Sequence, residues 1–139
     1  FEIFGAPFLD TEKILSMLGG NRVPGAILRP IGFEPTSNKW KGFLCRGFQI
    51  HVTDPHQYRP YITTLRLLGI IRFLHRGRFE WKLPPYEYEF EKLPIDLILG
   101  SSEIRRRLEN FDDIEDIEAS WSDELHAFAE TSRKFHLYP

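Results

Sequence analysis

Cysteine and long apolar runs are scarce in this chain, and each scarcity excludes something. The one cysteine, Cys45, cannot form an internal disulfide, nor by itself a cysteine-based metal site. The redox compartment therefore stays open. The longest apolar stretch, Leu67 to Leu74, is broken by Arg72 and is far too short to cross a bilayer, so no membrane span is expected. No Gly-rich phosphate loop follows a strand-like segment, and no His-x-x-x-His or Cys-x-x-Cys pair occurs. Neither a metal nor a cofactor is expected. No repeat period and no low-complexity tract is visible. The chain starts at Phe1, without a methionine or a basic leader, and Phe1 to Phe8 reads like the inside of a protein. A detached piece of a larger polypeptide is the expectation, and the compartment stays open, export of the parent included.

What is present suits one folded domain. The length is 139 residues, with 42% hydrophobic and 27% charged residues, enough to bury a core without disulfides or metal. The charge is segregated. From Gly20 to Lys82, eleven lysines and arginines face only Glu34, Asp54 and Glu80. From Leu83 to Pro139, fourteen acids face six bases. Two readings stand: solvated faces that partly pair with each other, or a basic surface for an anionic ligand.

Periodicity and turn residues predict an α+β fold. Asp10 opens a short helix that Gly19-Gly20-Asn21 ends. Pro24-Gly25 is a turn, Ala26 to Phe33 is strand-like, and Glu34 to Lys41 is a loop. Gly42 to Thr53 is the clearest strand. Leu44, Phe48, Ile50 and Val52 share one face, and Phe43, Cys45, Gly47, Gln49, His51 and Thr53 the other. Asp54 as N-cap, Pro55 and Gln57 then predict the start of a core helix reaching Leu74. Phe79 to Leu83 alternates like a short strand, and Tyr86 to Glu91 like an extended segment. A helical turn over Ile95 to Leu99 and a helix over Glu103 to Glu109 follow. Ile114 to Phe135 has the spacing of an amphipathic helix, broken near Ser120 to Ser122. The expected architecture is a small mixed sheet packed against a central helix and the amphipathic C-terminal helix, with residues 1–139 as a single domain.

Three constellations carry chemistry. Gln49, His51 and Thr53 share a strand face that runs to a helix start, where ligands gather around free N–H groups. They form either a ligand-binding edge, with His51 as hydrogen-bonding or proton-transfer group, or polar packing satisfied internally. Asp54 is accounted for by its capping role. Pro84-Pro85-Tyr86-Glu87-Tyr88-Glu89 places tyrosines and carboxylates on a stiff segment. It suits sugar binding, by stacking and by accepting hydroxyl hydrogens, or is a connector with Tyr86 and Tyr88 on the core and the glutamates in water. Lys39-Trp40-Lys41 has the composition of a nucleic-acid contact, but no module signature accompanies it and the pI is near 6.2. No nucleic-acid partner is expected. Cys45, within a strand, reads as a small buried hydrophobe.

Several of these runs together resemble a known family. They are Phe4-Gly5-Ala6-Pro7, Phe33-Glu34-Pro35, Cys45-Arg46-Gly47-Phe48-Gln49, His51-Val52-Thr53-Asp54, Pro84-Pro85-Tyr86-Glu87-Tyr88-Glu89, Pro94-Ile95-Asp96-Leu97 with Gly100, and Trp121, Phe128 and Tyr138. The pattern resembles the C-terminal part of the NamZ-type exo-β-N-acetylmuramidases, a bacterial family long catalogued as a domain of unknown function. The resemblance implies an N-terminal Rossmann-like domain in the parent, followed by this smaller α+β domain. It implies release of terminal N-acetylmuramic acid from peptidoglycan fragments in a cleft between the domains. The glutamate that serves as acid catalyst then belongs to the N-terminal domain. Glycoside hydrolysis needs a positioned carboxylic acid and a second group at fixed separation. This fragment alone is expected to lack the full set, with Glu87 as an auxiliary at most. Gln49, His51, Thr53, Tyr86, Glu87 and Tyr88 become the expected substrate contacts. The expected partners are the N-terminal domain and a muropeptide or other sugar containing N-acetylmuramic acid. The alternative is a non-catalytic module that binds cell-wall sugar or docks on another domain through Phe1 to Phe8.

Overall fold

The computed structural model describes residues 2–137. Phe1, at the head of the apolar N-terminal stretch, and Tyr138, part of the family resemblance, lie outside them. The chain divides into two compact units, Phe1–Leu83 and Pro84–Pro139.

The first unit is one sheet with two helices. Strands β1 (Ile3–Ala6), β2 (Arg22–Val23), β3 (Ala26–Phe33) and β4 (Cys45–Val52) lie in the order β1-β4-β3-β2. The α+β class stands. The sheet is not mixed, however: every neighbouring pair is antiparallel. The short turn at Pro24-Gly25 and the loop over residues 34–44 return the chain straight into an adjacent lane, and parallel pairing would need a longer crossover.

Helix α1 (Thr11–Leu18) forms as its caps dictate. The Asp10 carboxylate accepts from the Lys13 N–H at 3.0 Å, and Gly19 closes the helix with φ 77°. Helix α2 (Pro60–Leu74) starts five residues later than Asp54 as N-cap predicts. Pro60 disfavours helical geometry in the residue before it, and Arg59 sits at φ −114°, ψ 83°. Asp54 therefore caps a separate turn. Its carboxylate accepts from the His56 N–H at 2.9 Å and the Gln57 side-chain amide at 2.7 Å.

The core lies between one sheet face and these helices. Phe4 and Ala6 of β1, Leu28 of β3 and Phe48 of β4 meet Ile14 of α1 and Leu67 and Ile71 of α2. Phe48 is fully buried, which contributes roughly 1.5–3 kcal/mol. From the apolar N-terminal stretch, Ala6 is buried in this core and Phe4 and Phe8 pack against it, while β1 itself is an outer strand of the sheet. The Phe4 ring lies 5.7 Å from that of Phe48, and Phe8 lies 6.3 Å from Trp40 and 5.4 Å from His75. Phe79 to Leu83 is not a strand. The sheet's outer lanes are β1 and β2, and this segment pairs with neither; its alternation instead places the Phe79 and Trp81 rings edge to face at 4.7 Å.

The second unit is helical: α3 (Pro94–Leu99), α4 (Ser102–Asn110), α5 (Ile114–Ala119) and α6 (Ser122–Ser132), then a 3₁₀ turn over Arg133–Phe135. Ser101 caps α4 and Asp113 caps α5. The predicted break near Ser120 is present, where the Ser120 hydroxyl donates back to the Ile117 carbonyl at 2.6 Å. Buried side chains include Pro94, Leu99, Leu108 and Ile117. The α6 stripe is different. Leu125 and Phe128 recur at helical spacing, yet are 58% and 68% exposed.

Candidate functional site

The site is built by the pairing register of β3 and β4. Directly opposed residues point to the same sheet face. His51 faces Ile27, Gln49 faces Arg29, Gly47 faces Ile31 and Cys45 faces Phe33. On the flanks, Ile3 of β1 stands opposite Gln49 and Arg22 of β2 opposite Ile27. These residues form the face away from Phe48 and Leu28, and so away from the core. The predicted sharing of one face by Gln49 and His51 holds. Phe48 and Ile50 face the core, while Leu44 and Val52, near the strand ends, are exposed.

On that outer face His51 is exposed and Gln49 half-buried. The Gln49 side-chain amide oxygen Oε1 accepts from the Arg29 guanidinium at 2.5 Å. Arg22, Arg29 and His51 are cationic or basic, and none of the paired positions on this face is acidic. Thr53 lies just past the end of β4. Its backbone N–H donates to the Gly25 carbonyl at 2.9 Å, and the Asp54 N–H donates to the same oxygen at 3.1 Å. Cys45 is fully buried, and burial pushes its thiol pKa up, which leaves it without thiolate character.

The Tyr86 to Glu89 segment belongs to the second unit and is a tight turn, not an extended run. The Tyr86 N–H donates to the Glu89 carbonyl at 2.9 Å, and the Glu89 N–H returns to the Tyr86 carbonyl at 3.0 Å. Glu87 sits inside the turn at φ 52°, a left-handed conformation that costs a non-glycine residue about 1 kcal/mol. An extended segment would send the tyrosines one way and the glutamates the other, and the turn breaks that two-residue period. The Glu89 carboxylate is spent locally. It accepts from the Glu91 and Lys92 N–H groups at 2.8 and 3.1 Å, and these bonds hold its pKa below the usual carboxylate range. Glu87 and Tyr88 are exposed, Tyr88 at 95%. Gln49, His51 and Thr53 thus lie in one unit, and Tyr86, Glu87 and Tyr88 in the other.

With this geometry in hand, comparison with known proteins is decisive on kinship. The model of the family described as exo-beta-N-acetylmuramidase NamZ, C-terminal, matches residues 1–138. The chain belongs to the NamZ C-terminal family. A curated relative, the peptidoglycan beta-N-acetylmuramidase NamZ of Bacillus subtilis (strain 168), is 31% identical over 139 residues, covering 99% of this chain and 31% of the relative. A crystal structure of a DUF1343 family protein from Bacteroides fragilis NCTC 9343 has the same fold. Its TM-score is 0.76 at 24% identity, covering 99% of this chain and 35% of that one. This NamZ C-terminal chain therefore spans about a third of the length of the relatives it matches.

One residue of the outer face escapes sequence reasoning. Arg29 sits in β3 beside Pro30, with nothing in its own segment to single it out. Its signal is relational: two-residue spacing from Ile27 and Ile31 puts it on their face, and pairing with β4 puts it beside Gln49.

Proposed function

We propose that this domain forms the sugar-binding wall of an exo-β-N-acetylmuramidase, and that the catalytic acid lies elsewhere in the full polypeptide. The observation that carries the reading is the outer sheet face, where Gln49, His51 and Arg29 meet without a carboxylate. Such a face hydrogen-bonds a sugar. It does not hydrolyse one, because glycosidases act through two carboxyl groups, or a carboxyl and an equivalent group, flanking the bond. Membership of the NamZ C-terminal family and the named activity of the B. subtilis relative support the reading. In it, His51 and Gln49 bond the sugar's polar substituents, and Thr53 extends that edge. The N-terminal part of the polypeptide is the partner that completes the cleft.

The test is turnover of a chromogenic N-acetyl-β-muramide by the full-length polypeptide. His51→Ala is expected to lower kcat/KM by about 10- to 100-fold, the loss of a hydrogen bond to a charged or developing-charge group, with the melting temperature little changed. Wild-type protein that folds but leaves the muramide intact would sink the proposal.

A second reading, a non-catalytic interaction module, draws on the exposed Leu125 and Phe128 stripe of α6. Pelleting of the full-length polypeptide with purified cell wall, beside its turnover of the chromogenic muramide, separates the two. Wall retention by a wild-type polypeptide that leaves the muramide intact favours the module.

A further inference from the structure

We infer that Arg29 is the specificity-determining residue that recognises a carboxylate on the bound sugar, the lactyl ether carboxylate that sets a muramic acid apart from a neutral hexosamine. The inference rests on the sugar-binding reading of the outer face and names the chemistry that this face selects.

Three observations converge on Arg29. It occupies the middle of β3 on the sheet face opposite the core, so its side chain leaves the protein on the same side as Gln49 and His51. It is exposed, and among the described residues no carboxylate pairs with it. It is nevertheless positioned: one guanidinium N–H is fixed by the Gln49 side-chain amide oxygen Oε1 at 2.5 Å.

The neutral anchor is the telling part. A guanidinium carries five N–H donors in a planar fork and stays charged at any pH a protein meets. Held by a carboxylate, its charge is neutralised. Arg105 of the second unit is such a case, clamped between Asp96 at 2.6 Å and Glu109 at 3.0 Å. Held by an amide, the fork is oriented while its charge and its other donors remain available. That arrangement suits a ligand carboxylate, which guanidinium takes in two parallel bonds. The surrounding face reinforces the choice. Arg22 and His51 stand on it, and its paired positions include no acid that would repel an anion. The basic surplus between Gly20 and Lys82, which the sequence leaves with two readings, thereby acquires a local purpose on this face.

The test uses the full-length polypeptide and three chromogenic β-glycosides: N-acetylmuramide with a free lactyl carboxylate, its uncharged lactyl carboxamide, and the form whose lactyl group is joined to L-alanyl-D-glutamate. Arg29→Met is expected to lower kcat/KM for the free acid by about 10- to 100-fold while leaving the carboxamide within about threefold. Arg29→Lys is expected to fall between, keeping the charge but losing the fork. Equal losses on acid and carboxamide overturn the assignment, and so does a loss confined to the dipeptide form, which would place the recognised carboxylate in the peptide. If the wild type turns over none of the three, the proposed hydrolase fails but Arg29 is still tested. Calorimetric binding of N-acetylmuramic acid and of its methyl ester to wild type and Arg29→Met must then show a difference for the acid alone. Unchanged binding of the acid overturns the inference. Melting curves of both variants establish that the fold is intact.

Discussion

The backbone N–H of Asp10 points at Nε2 of His75, 3.4 Å away and 65 residues along the chain. The contact ties the start of α1 to the end of α2. Asp10 is already engaged at that point, its carboxylate capping α1 and held below the usual range by the Lys13 N–H. The acceptor nitrogen of His75 has to be unprotonated. Burial beside Phe8 pulls the His75 pKa below its ordinary value, against the opposing pull of Asp10 and together with Arg78 and Lys13.

This makes stability fall on the acid side of neutrality. The unfolded chain takes up a proton on His75 near pH 6.5, before the folded protein does. The stabilisation is therefore complete above that pH, is lost as pH falls through the window down to the depressed folded value, and is constant below it. His75→Gln keeps an acceptor and does not titrate. Its melting temperature is expected to fall less than that of the wild type between about pH 7.5 and pH 5.5. Identical slopes in scanning calorimetry would remove His75 from the account.

Gly47 is expected to be irreplaceable. A methyl group there would run into the Phe4 carbonyl oxygen and lie 2.6 Å from the Gly5 Cα. The neighbour is backbone of the paired strand, so relief requires moving β1. Gly47→Ala is expected to cost about 2–3 kcal/mol, read from urea denaturation. Gly69→Ala is the contrast. It lies inside α2 with open space around it, and is expected to stabilise by about 0.5–1 kcal/mol.

Arg105 is the strongest ion-pairing residue of the second unit. Its side chain is 17% exposed and bonds Asp96 through two nitrogens and Glu109 through a third. Arg105→Lys cannot span both carboxylates and is expected to cost about 1–2 kcal/mol. The solvated pair of Arg133 with Glu130, 68% and 71% exposed, is expected to contribute under about 0.5 kcal/mol. Denaturation of Arg105→Lys beside Arg133→Lys checks the ranking.

Cys45 is expected to be chemically silent until the protein opens. It is fully buried with its thiol pKa raised. Reaction with an aromatic disulfide reagent should run at least about a thousandfold slower than in urea, as global protection implies. Rapid stoichiometric labelling of native protein would contradict the buried position.

The β4 strand, expected over Gly42 to Thr53 and found over Cys45 to Val52, the split of Phe48 from Gln49 and His51, the capping of α1 by Asp10 and the break at Ser120 are all legible from residue type and spacing. Each depends on neighbours a few positions away. The errors have a different origin. Asp54 carries every mark of a helix cap, yet Pro60, six residues on, decides where α2 begins. Phe79 to Leu83 alternates like a strand but finds no lane to pair with. Tyr86 to Glu89 alternates too, and closes on itself. Leu125 and Phe128 keep a helical stripe that the described fold leaves in water. Arg29 went unseen because its meaning lies in its pairing with Gln49, twenty residues away. Local chemistry was readable; long-range choice of partner was not.

Gly25 holds the outlet of β4 in place from another part of the chain. At φ 71°, with Tyr58 and Asp54 backbone packed where a side chain would stand, its carbonyl receives both the Thr53 and Asp54 N–H groups. The polar end of the strand is therefore anchored independently of the loop over residues 34–44 that feeds the other end. Extra residues inserted at the Ser37-Asn38 tip of that loop can lengthen it without displacing His51. A single residue added between Pro24 and Gly25 would shift His51 and Thr53 together. Variation in length is thus permitted on one side of the sheet and forbidden on the other.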